Sequence, residues 1–474
     1  MPRRIEINPV TRIEGHAMIS LHLDDAGLVQ QAHLHVNQLR GFEQFCVGRP
    51  FYEMPALMAR ICGICPVSHL VAASKACDEL LAVQVPPTAA KLRRIMNLAQ
   101  IIQSHALNFF HLSSPDLLLG MDSDPTQRNL FGLLQSHPER ARDGIRLRQF
   151  GQQIIELLGG KRIHPGWIVP GGVNEPLSKA HREQMLGMVP DALAIIERTL
   201  TWFPPLLDQF SAEIQTFGNF PSLFVGLANP QGTLEHYDGG IRVMDSAGNH
   251  IAQWLEPNHY ADYIGEAVEP DSYLKSPYYK PLGYPDGMYR VGPLARLNLV
   301  DRCGTPRADA ALAAFNARYP RPVLSSFLYH YARLIEILYG IEQIELLLND
   351  PDILSEHVRA FAEPNRSEGI GVSEAPRGTL IHHYRIDGQG LVTYANMIIA
   401  SGNNNLAMNR GILQAARHFV HGPEIKEGML NRVEAVIRAF DPCLSCSTHA
   451  AGAMPFHIRL HAPDGSLLHE LWRG

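Results

Sequence analysis

Cysteine is scarce in this chain, with seven residues among 474. A set that is so sparse and odd in number does not suit a disulfide framework. It is typical of a reducing compartment in which thiols stay free or bind metals. The cytoplasm is therefore the expected location. Cys46, Cys77 and Cys303 stand alone in the sequence and are interpreted as ordinary buried thiols, whereas the other four are grouped.

Features that would point to a membrane, a nucleic acid or a nucleotide are also absent. No apolar run reaches the roughly 18 residues that a membrane span requires. The basic residues after Met1 have no apolar segment behind them, so they are not interpreted as a signal peptide. A formal net charge of −6 gives no electrostatic reason to expect nucleic acid or an anionic membrane as a partner. The glycine pair 171–172 lacks the surrounding pattern of a phosphate-binding loop, so no nucleotide site is expected.

Four cysteines form two C-x-x-C runs near opposite ends of the chain, Cys62 with Cys65 and Cys443 with Cys446. Two intervening residues let both sulfurs of a tight turn point at one centre, so the two pairs together can hold a soft transition metal. A single pair could instead be a redox disulfide or half of a structural zinc ribbon. Zinc ribbons separate their pairs by about 15–20 residues, whereas 378 positions separate Cys65 from Cys443. The spacing favours a metal site and leaves open whether the metal is catalytic or structural.

The residues around the cysteine pairs extend both runs into longer motifs. The first is R-x-C-G-x-C-x-x-x-H over 60–69, and the second is D-P-C-x-x-C-x-x-H over 441–449. Together they resemble the paired signatures of the nickel–iron hydrogenase large subunit. Further runs that resemble this family lie between them in the same order, and they are PVTRIEGH (9–16), RGFE (40–43), GGV (171–173) and EAPRG (374–378).

The resemblance implies a mostly α (α+β) fold with a long central helical bundle and peripheral β-hairpins. Apolar residues at helical spacing predict core helices near 88–109, 178–203 and 325–348. Residues 1–474 are expected to form a single large-subunit domain. Its expected segments are an N-terminal β-hairpin (1–40), the first cysteine pair with core helices (60–205), a peripheral insertion without chemistry (206–322), core helices with the second cysteine pair (323–449) and a C-terminal extension (450–474).

The resemblance also implies the metal ligands. Nickel would be held by all four thiolates, with Cys62 and Cys443 as terminal ligands and Cys65 and Cys446 shared with an Fe(CN)₂(CO) unit. His69 would hydrogen-bond a bridging sulfur. Glu43 and His449 would bind a magnesium or similar divalent ion beneath the centre, which suits a hard carboxylate oxygen.

Other site residues follow from the same resemblance. Glu14 matches the family's proton gate. Arg377, in a loop stiffened by Pro376, would donate to an iron-bound cyanide, and Ser401 would donate to the second cyanide. Asp116 would support the active-site arginine, and Asp441 is included among the catalytic residues. Splitting hydrogen needs a Lewis acid for the hydride and a base for the proton. The base is either the Cys443 thiolate or Arg377, and the sequence does not decide between them.

The expected partners follow from what this chain lacks and from the resemblance. The three cysteines outside the two pairs are too few for a full iron–sulfur cluster, so an iron–sulfur small subunit is expected. The resemblance further implies flavin-containing diaphorase subunits that handle NAD. A nickel-insertion chaperone and an endopeptidase that cleaves after His449 are implied for maturation. Within the family, the chain most resembles the soluble bidirectional NAD-coupled branch, and another soluble branch, reducing a deazaflavin or a ferredoxin/heterodisulfide system, is the alternative. Two further hypotheses stay open. One is a non-catalytic hydrogenase-like subunit, although such a subunit would have lost the four cysteines. The other is a structural zinc protein.

Overall fold

The computed structural model describes residues 3–421, 424–449 and 456–473. The strands, numbered in chain order, are β1 (Arg3–Ile7), β2 (Met18–Leu23), β3 (Val29–His35), β4 (Ile168–Val169), β5 (Gly172–Val173), β6 (Leu223–Ala228), β7 (Gly240–Met244), β8 (His250–Leu255), β9 (Ile264–Ala267), β10 (Ser276–Tyr279), β11 (Tyr289–Arg290), β12 (Glu368–Ala375), β13 (Gly378–Ile386), β14 (Val392–Ile398), β15 (Phe456–His461) and β16 (Leu467–Arg473).

The helices in the described residues are α1 (Phe42–Cys46), α2 (Met54–Met58), α3 (Pro66–Leu81), α4 (Pro87–Ala106), α5 (Ser114–Leu119), α6 (Leu130–Ser136), α7 (Pro138–Gly159), α8 (Lys179–Leu206), α9 (Ser211–Thr216), α10 (Tyr260–Tyr263), α11 (Pro293–Leu299), α12 (Pro306–Arg318), α13 (Tyr329–Leu348), α14 (Ala400–Asn403), α15 (Asn405–Phe419) and α16 (Glu427–Phe440). A π-helical turn, Leu107–Ser113, joins α4 to α5. None of the helices described is long and apolar enough to cross a membrane.

A bundle of four long helices, α4, α7, α8 and α13, forms the centre of the molecule, in which α13 packs against both α4 and α8. Sixteen of the twenty residues of α13 are buried, so this helix is enclosed on nearly all sides. Gly151 in α7 lies where an added Cβ would collide with the Ala99 carbonyl of α4, so its missing side chain permits the close approach of these two helices. The predicted helical fold with a long central bundle is confirmed.

The β structure is more extensive than hairpins alone. The predicted N-terminal turn near Asp24 joins β2 to β3, but β1 also pairs antiparallel with β2, so the segment expected to be a hairpin is a three-stranded sheet. The sheet β12-β13-β14 lies in the interior, because β12 packs along α3 and eight of the nine residues of β13 are buried. This sheet is therefore part of the core.

The segment 206–322, interpreted from the sequence as a peripheral insertion, contributes to the interior in one part. It supplies β6 to β11, and four of these strands form the sheet β11-β6-β7-β8. It also supplies α11, in which all seven residues are buried. Arg296 on this helix makes contacts at the centre of the molecule that are described below.

The two ends of the chain are held together by main-chain hydrogen bonds. The Leu444 amide donates to the Glu14 carbonyl at 3.2 Å, and the Arg40 amide donates to the Thr448 carbonyl at 2.9 Å. The helix α16 ends at Phe440, after which Asp441 adopts a left-handed conformation with φ of 55°. This turn leads the chain directly into the second cysteine pair. Residues 450–455, which follow the expected cleavage point at His449, lie outside the described residues.

Candidate metal centre

Four cysteine sulfurs from the two ends of the chain meet at one buried point. The ligand atoms of Cys62, Cys65, Cys443 and Cys446 all lie within 4.8 Å of one another. The Cys62 and Cys443 sulfurs are 3.3 Å apart, and the Cys65 and Cys446 sulfurs are 3.5 Å apart. The structure also pairs Cys443 with Cys446 as a disulfide. Because a zinc–sulfur bond is about 2.3 Å long, sulfurs on a common ion lie up to about 4.6 Å apart, and the separations of 3.3 and 3.5 Å fall within that limit, so these sulfurs fit a transition metal.

Local backbone geometry arranges the first cysteine pair. Cys65 is the N-cap of α3, and Pro66 begins that helix, where its missing amide hydrogen costs nothing. The amides of Ile64 and Cys65 each lie 3.2 Å from the Cys62 sulfur, toward which they donate. A hydrogen bond from the Cys65 thiol lowers the pKa of Cys62. Burial acts to raise this pKa, and the Arg377 guanidinium acts to lower it. Cys62 is therefore the readier thiolate of this pair.

The loop between β12 and β13 places Arg377 beside the sulfurs. Its side chain is only 3% exposed. The guanidinium donates to the main-chain carbonyl of Asp441 and lies 3.2 Å from the Asp441 carboxylate. It also donates to the Ser104 hydroxyl on α4 at 3.3 Å. A buried guanidinium is costly unless it meets an anion, and Asp441 supplies that anion.

A small cavity opens next to the cysteines, and it is bordered by Arg377, Ser401 and His69. The Ser401 hydroxyl accepts a hydrogen bond from the Cys443 amide at 2.7 Å, which ties α14 to the second cysteine pair. On the other side of this pair, the Glu14 carboxylate accepts from the Ser445 amide at 3.1 Å. The residues predicted around the centre from both ends of the chain are thus brought together.

Glu43 and His449 line a second small cavity, together with Glu266 and Lys275. Burial raises the pKa of Glu43, and the Lys275 ammonium opposes this shift. The Glu43 carboxylate accepts from the Met397 amide at 2.9 Å and lies 4.0 Å from the Lys275 ammonium. Among the residues that the structure describes, neither ring nitrogen of the buried His449 has a hydrogen-bond partner. An oxygen donor and an orphaned imidazole on one cavity fit a divalent cation.

Two family models match this chain. One, described as nickel-dependent hydrogenase, matches residues 40–124 and 242–449, and the other, described as HoxL-like, matches residues 4–39. The chain belongs to the nickel–iron hydrogenase large-subunit family. This hydrogenase chain is 41% identical to the NAD-reducing hydrogenase HoxS subunit beta of Cupriavidus necator, with 99% of each chain covered. It is 40% identical to a subunit of the F420-non-reducing hydrogenase vhc of Methanococcus voltae, with 98% of this chain and 99% of that relative covered.

Solved structures resemble this hydrogenase subunit over nearly its whole length. The crystal structure of an NAD⁺-reducing NiFe hydrogenase in the H2-reduced state matches at a TM-score of 0.92 with 46% identity. The match covers 94% of this chain and 99% of that one. The nickel–iron–selenium hydrogenase of D. vulgaris Hildenborough shares the fold at a TM-score of 0.78 and 24% identity, over 95% of this chain and all of that one.

The expected contact of Asp116 with the active-site arginine is wrong. Asp116 follows the π-helical turn in the chain, and it pairs with Arg12 at 2.5 Å and with Arg438 at 3.0 Å. Burial raises the pKa of Asp116, but these arginines lower it below the usual value. Arg377 is held by Asp441 and by Ser104, which precedes the turn. Asp116 therefore stabilises the junction between the N-terminal motif and α16.

The neighbours of His69 include two residues that the sequence did not indicate. Its Nδ1 lies 3.1 Å from Nε2 of His382, whose Nδ1 lies 2.6 Å from the Tyr384 hydroxyl. Burial lowers the pKa of His69 to about 3. His382 and Tyr384 point from β13 toward α3, where strand alternation puts them on one face. The chain His69–His382–Tyr384 fixes the orientation of the His69 ring.

A buried ionic network under the Arg377 loop was also missed. The Arg296 guanidinium donates twice to the Glu336 carboxylate at 2.6 Å and once to Glu374 at 2.6 Å, and all three side chains are 0% exposed. It also donates to the Ala375 carbonyl at 3.1 Å, one residue before the loop proline. A single arginine in a stretch rich in glycine and proline gives no sequence signal of such burial.

Proposed function

We propose that this chain is the catalytic large subunit of an enzyme that reversibly cleaves H2 into protons and electrons. The electrons pass first to an iron–sulfur small subunit, then to NAD through flavin-containing subunits. The observation that carries the proposal is the meeting of four buried cysteine sulfurs within 4.8 Å. The 41% identity to one chain of an NAD-reducing hydrogenase supports NAD as the acceptor, and the scarcity of cysteine supports a cytoplasmic location.

We assign Cys62 and Cys443 as terminal nickel ligands, and Cys65 and Cys446 as ligands shared with an iron that carries two cyanides and a carbonyl. The support is that the two runs face each other in this pairing, with the Cys62 sulfur 3.3 Å from that of Cys443 and the Cys65 sulfur 3.5 Å from that of Cys446. Thiolates are the soft ligands that such metals prefer. When bound, the centre supplies the Lewis acid that accepts the hydride of H2.

Cys443 is the proton acceptor in this proposal, with Arg377 as the alternative. Burial acts to lower the pKa of Arg377, but Asp441 and the nearby thiolates raise it above its usual value, so the guanidinium holds its protons tightly. Glu14 would pass the proton outward. Its support is position, because its main-chain carbonyl and its carboxylate both accept hydrogen bonds from the two residues that follow Cys443.

The remaining site residues orient groups around the cysteines. Arg377, held by Asp441 and following Pro376, would donate to one cyanide, and Ser401 would donate to the other. Their support is that Arg377 and Ser401 border the cavity next to Cys65 and Cys446. His69 would donate to a shared sulfur from a ring held by His382.

Glu43 and His449 would bind Mg²⁺ or a similar cation in the second cavity.

The tail after His449 would be removed by an endopeptidase once a chaperone has delivered nickel. This cleavage would leave the His449 carboxylate as the new chain end. In the described part of the tail, β15 and β16 form a hairpin. The side chains of β16 at residues 467–471 are exposed, as expected for a segment outside the core.

A second acceptor is supported by particular relatives. The chain is 40% identical to one subunit of an F420-non-reducing hydrogenase, nearly as close as the NAD-reducing relative. Reduction of a ferredoxin or heterodisulfide system is the alternative function, and a deazaflavin is the third candidate acceptor, although this relative's name states that it does not reduce the deazaflavin F420. All three options use the same chemistry at the cysteines.

Metal analysis of the purified complex tests the reaction. We expect one nickel per large subunit, with infrared bands of cyanide and carbonyl. Cys65→Ser should lose both, whereas Cys303→Ser, also at a buried cysteine, should keep them. Zinc alone, or nickel content that survives Cys65→Ser, would contradict the proposal.

H2-dependent reduction of NAD⁺ by the complex with its co-purifying chains separates the acceptors, since a complex without flavin subunits would reduce ferredoxin instead.

A further inference from the structure

Three histidines lie on one face of the N-terminal sheet, far in sequence from most of the residues assigned above. His33 and His35 are two residues apart on β3, so their side chains point the same way. Ser20 on β2 lies opposite His33, and His22 follows Ser20 by two residues. Directly opposed residues of an antiparallel pair share a face, so all four side chains project to one side. The histidines are half-buried and Ser20 is fully buried.

Two of the imidazoles, those of His22 and His35, contact the Ser20 hydroxyl. Its oxygen lies 2.7 Å from Nε2 of His35 and 3.4 Å from Nε2 of His22. The ring centroids of His22 and His33 are 5.8 Å apart, and those of His33 and His35 are 6.2 Å apart. With metal–nitrogen bonds of about 2.0–2.1 Å, two imidazoles on one tetrahedral ion have centroids about 5 Å apart. The spacings of His22 from His33 and of His33 from His35 exceed that value by about 1 Å.

The hydrogen bonding of His35 selects the form of the ring that binds metals. Its Nδ1 lies 3.1 Å from the Asp271 main-chain carbonyl. A carbonyl oxygen only accepts, so Nδ1 carries the hydrogen, and Nε2 of the neutral ring presents a lone pair toward Ser20. Metal-ligating histidines use this arrangement, in which a main-chain carbonyl fixes the tautomer and orientation of the ring.

The charge around the cluster also suits a cation. His33 borders a large surface cleft whose lining includes the acidic residues Asp245, Glu269 and Asp271. Arg4 on β1 is paired with Glu6 at 2.8 Å, so its positive charge is compensated, and Arg410 is the one arginine among the described residues that line the cleft. Imidazole nitrogen is a borderline ligand that selects zinc, nickel, copper or iron over magnesium or calcium.

We propose that His22, His33 and His35 bind a divalent first-row cation of the zinc–nickel type, at a site separate from the cysteine centre. Three imidazoles supply three positions of a tetrahedral ion, and the fourth is open to water from the adjacent cleft. The site joins β2 to β3, so a bound ion would cross-link the N-terminal sheet. The proposal does not depend on the hydrogen chemistry.

Zinc binding to the purified large–small subunit complex tests this site. After mild chelation that leaves nickel and iron in place, the complex is titrated with Zn²⁺, and bound zinc is counted by mass spectrometry of the separated protein. We expect one zinc per large subunit beyond the nickel and iron. His33→Gln and His35→Gln should each weaken zinc binding by at least about tenfold. Mutating even the residues that hydrogen-bond a metal ligand typically lowers metal affinity about 10- to 100-fold.

Matched measurements separate this site from other sources of binding. His181→Gln, at an exposed histidine on α8, should bind zinc as the unchanged protein does. Unaltered nickel content and hydrogen uptake in the His33→Gln and His35→Gln variants would show that the fold is intact. The proposal would be overturned if the unchanged complex retained no additional zinc. It would also be overturned if the His33→Gln/His35→Gln double variant bound zinc as tightly as the unchanged complex does. A thiolate-to-cobalt absorption band when Co²⁺ replaces zinc would overturn it as well, because it would place the ion on cysteine.

Discussion

Replacing Arg296 with methionine should destabilise this hydrogenase subunit strongly. Arg296→Met keeps an unbranched side chain but leaves Glu336 and Glu374 buried at 0% exposure without their cation. Removing one partner from a buried ion pair costs about 3–5 kcal/mol. At about 2.1 cal/mol/K for each of 474 residues, the unfolding entropy is about 1 kcal/mol/K, so the Tm should fall by about 3–5 °C.

The pH dependence of this loss has a definite sign. In the unchanged protein, burial acts to raise the pKa of Glu336, but the Arg296 guanidinium lowers it well below its usual value. The network therefore stabilises the fold above the unfolded pKa of about 4.3 and loses this contribution as the pH falls through the depressed folded pKa. Without Arg296, burial raises the carboxylate pKa, so protonation restores stability at low pH. The Tm deficit of Arg296→Met should be smaller at pH 5 than at pH 8.

Scanning calorimetry of the subunit complex measures these shifts, with two comparison variants. Arg146→Met removes an exposed pair with Asp191, whose side chains are 53% and 48% exposed, and should cost at most about 1 kcal/mol. The triple variant Arg296→Met/Glu336→Gln/Glu374→Gln removes all three charges and should recover much of the loss. If the triple variant is as unstable as Arg296→Met, packing rather than unpaired charge explains the effect and the electrostatic reasoning is refuted.

Three further outcomes are expected from other parts of the structure. Glu14→Gln should abolish hydrogen–deuterium exchange with solvent while nickel content stays intact, and wild-type exchange would remove Glu14 from the proton route. Burial lowers the pKa of His330 to about 3, so the free energy of unfolding should fall by up to about 1.4 kcal/mol per pH unit below pH 6.5, where only the unfolded state is protonated. His330→Gln should reduce that slope in urea titrations at pH 6 and pH 5, and an unchanged slope would contradict burial as its cause. Gly371→Ala would push a Cβ into the Ala72 carbonyl of α3 and should cost about 1–3 kcal/mol. The comparison variant Gly388→Ala meets no atoms within 4 Å, and equal stability of the two variants would refute the packing argument.

Several features of the fold could be predicted from short-range patterns. Apolar spacing predicted the helices that appear as α4, α8 and α13, since helical periodicity recurs within a few residues. The turn near Asp24 was also predicted, and it joins β2 to β3. The interior position of β12-β13-β14 was not predicted, because burial on both faces removes the alternation that marks a half-exposed strand.

The assignments that depended on distant partners were less successful. Asp116 and Asp441 are both aspartates in recognisable runs, and only the packing of α4 and α16 decides that Asp441 meets Arg377. His382 and Arg296 carry no sequence signal, because their partners His69 and Glu336 lie 313 and 40 positions away. Charge and residue type identify candidate ligands but do not identify which of them will be neighbours.

The sequence by itself determined the ligand types, the two-residue spacing that lets each cysteine pair face one point, and the family. These are properties of a few adjacent residues, whose backbone geometry restricts what their side chains can reach. The tertiary structure alone decided that Cys62 lies beside Cys443 and Cys65 beside Cys446, and that Arg296 is enclosed by two carboxylates. Such contacts depend on how long helices and sheets pack together, which is set by the summed burial of many side chains rather than by any local pattern.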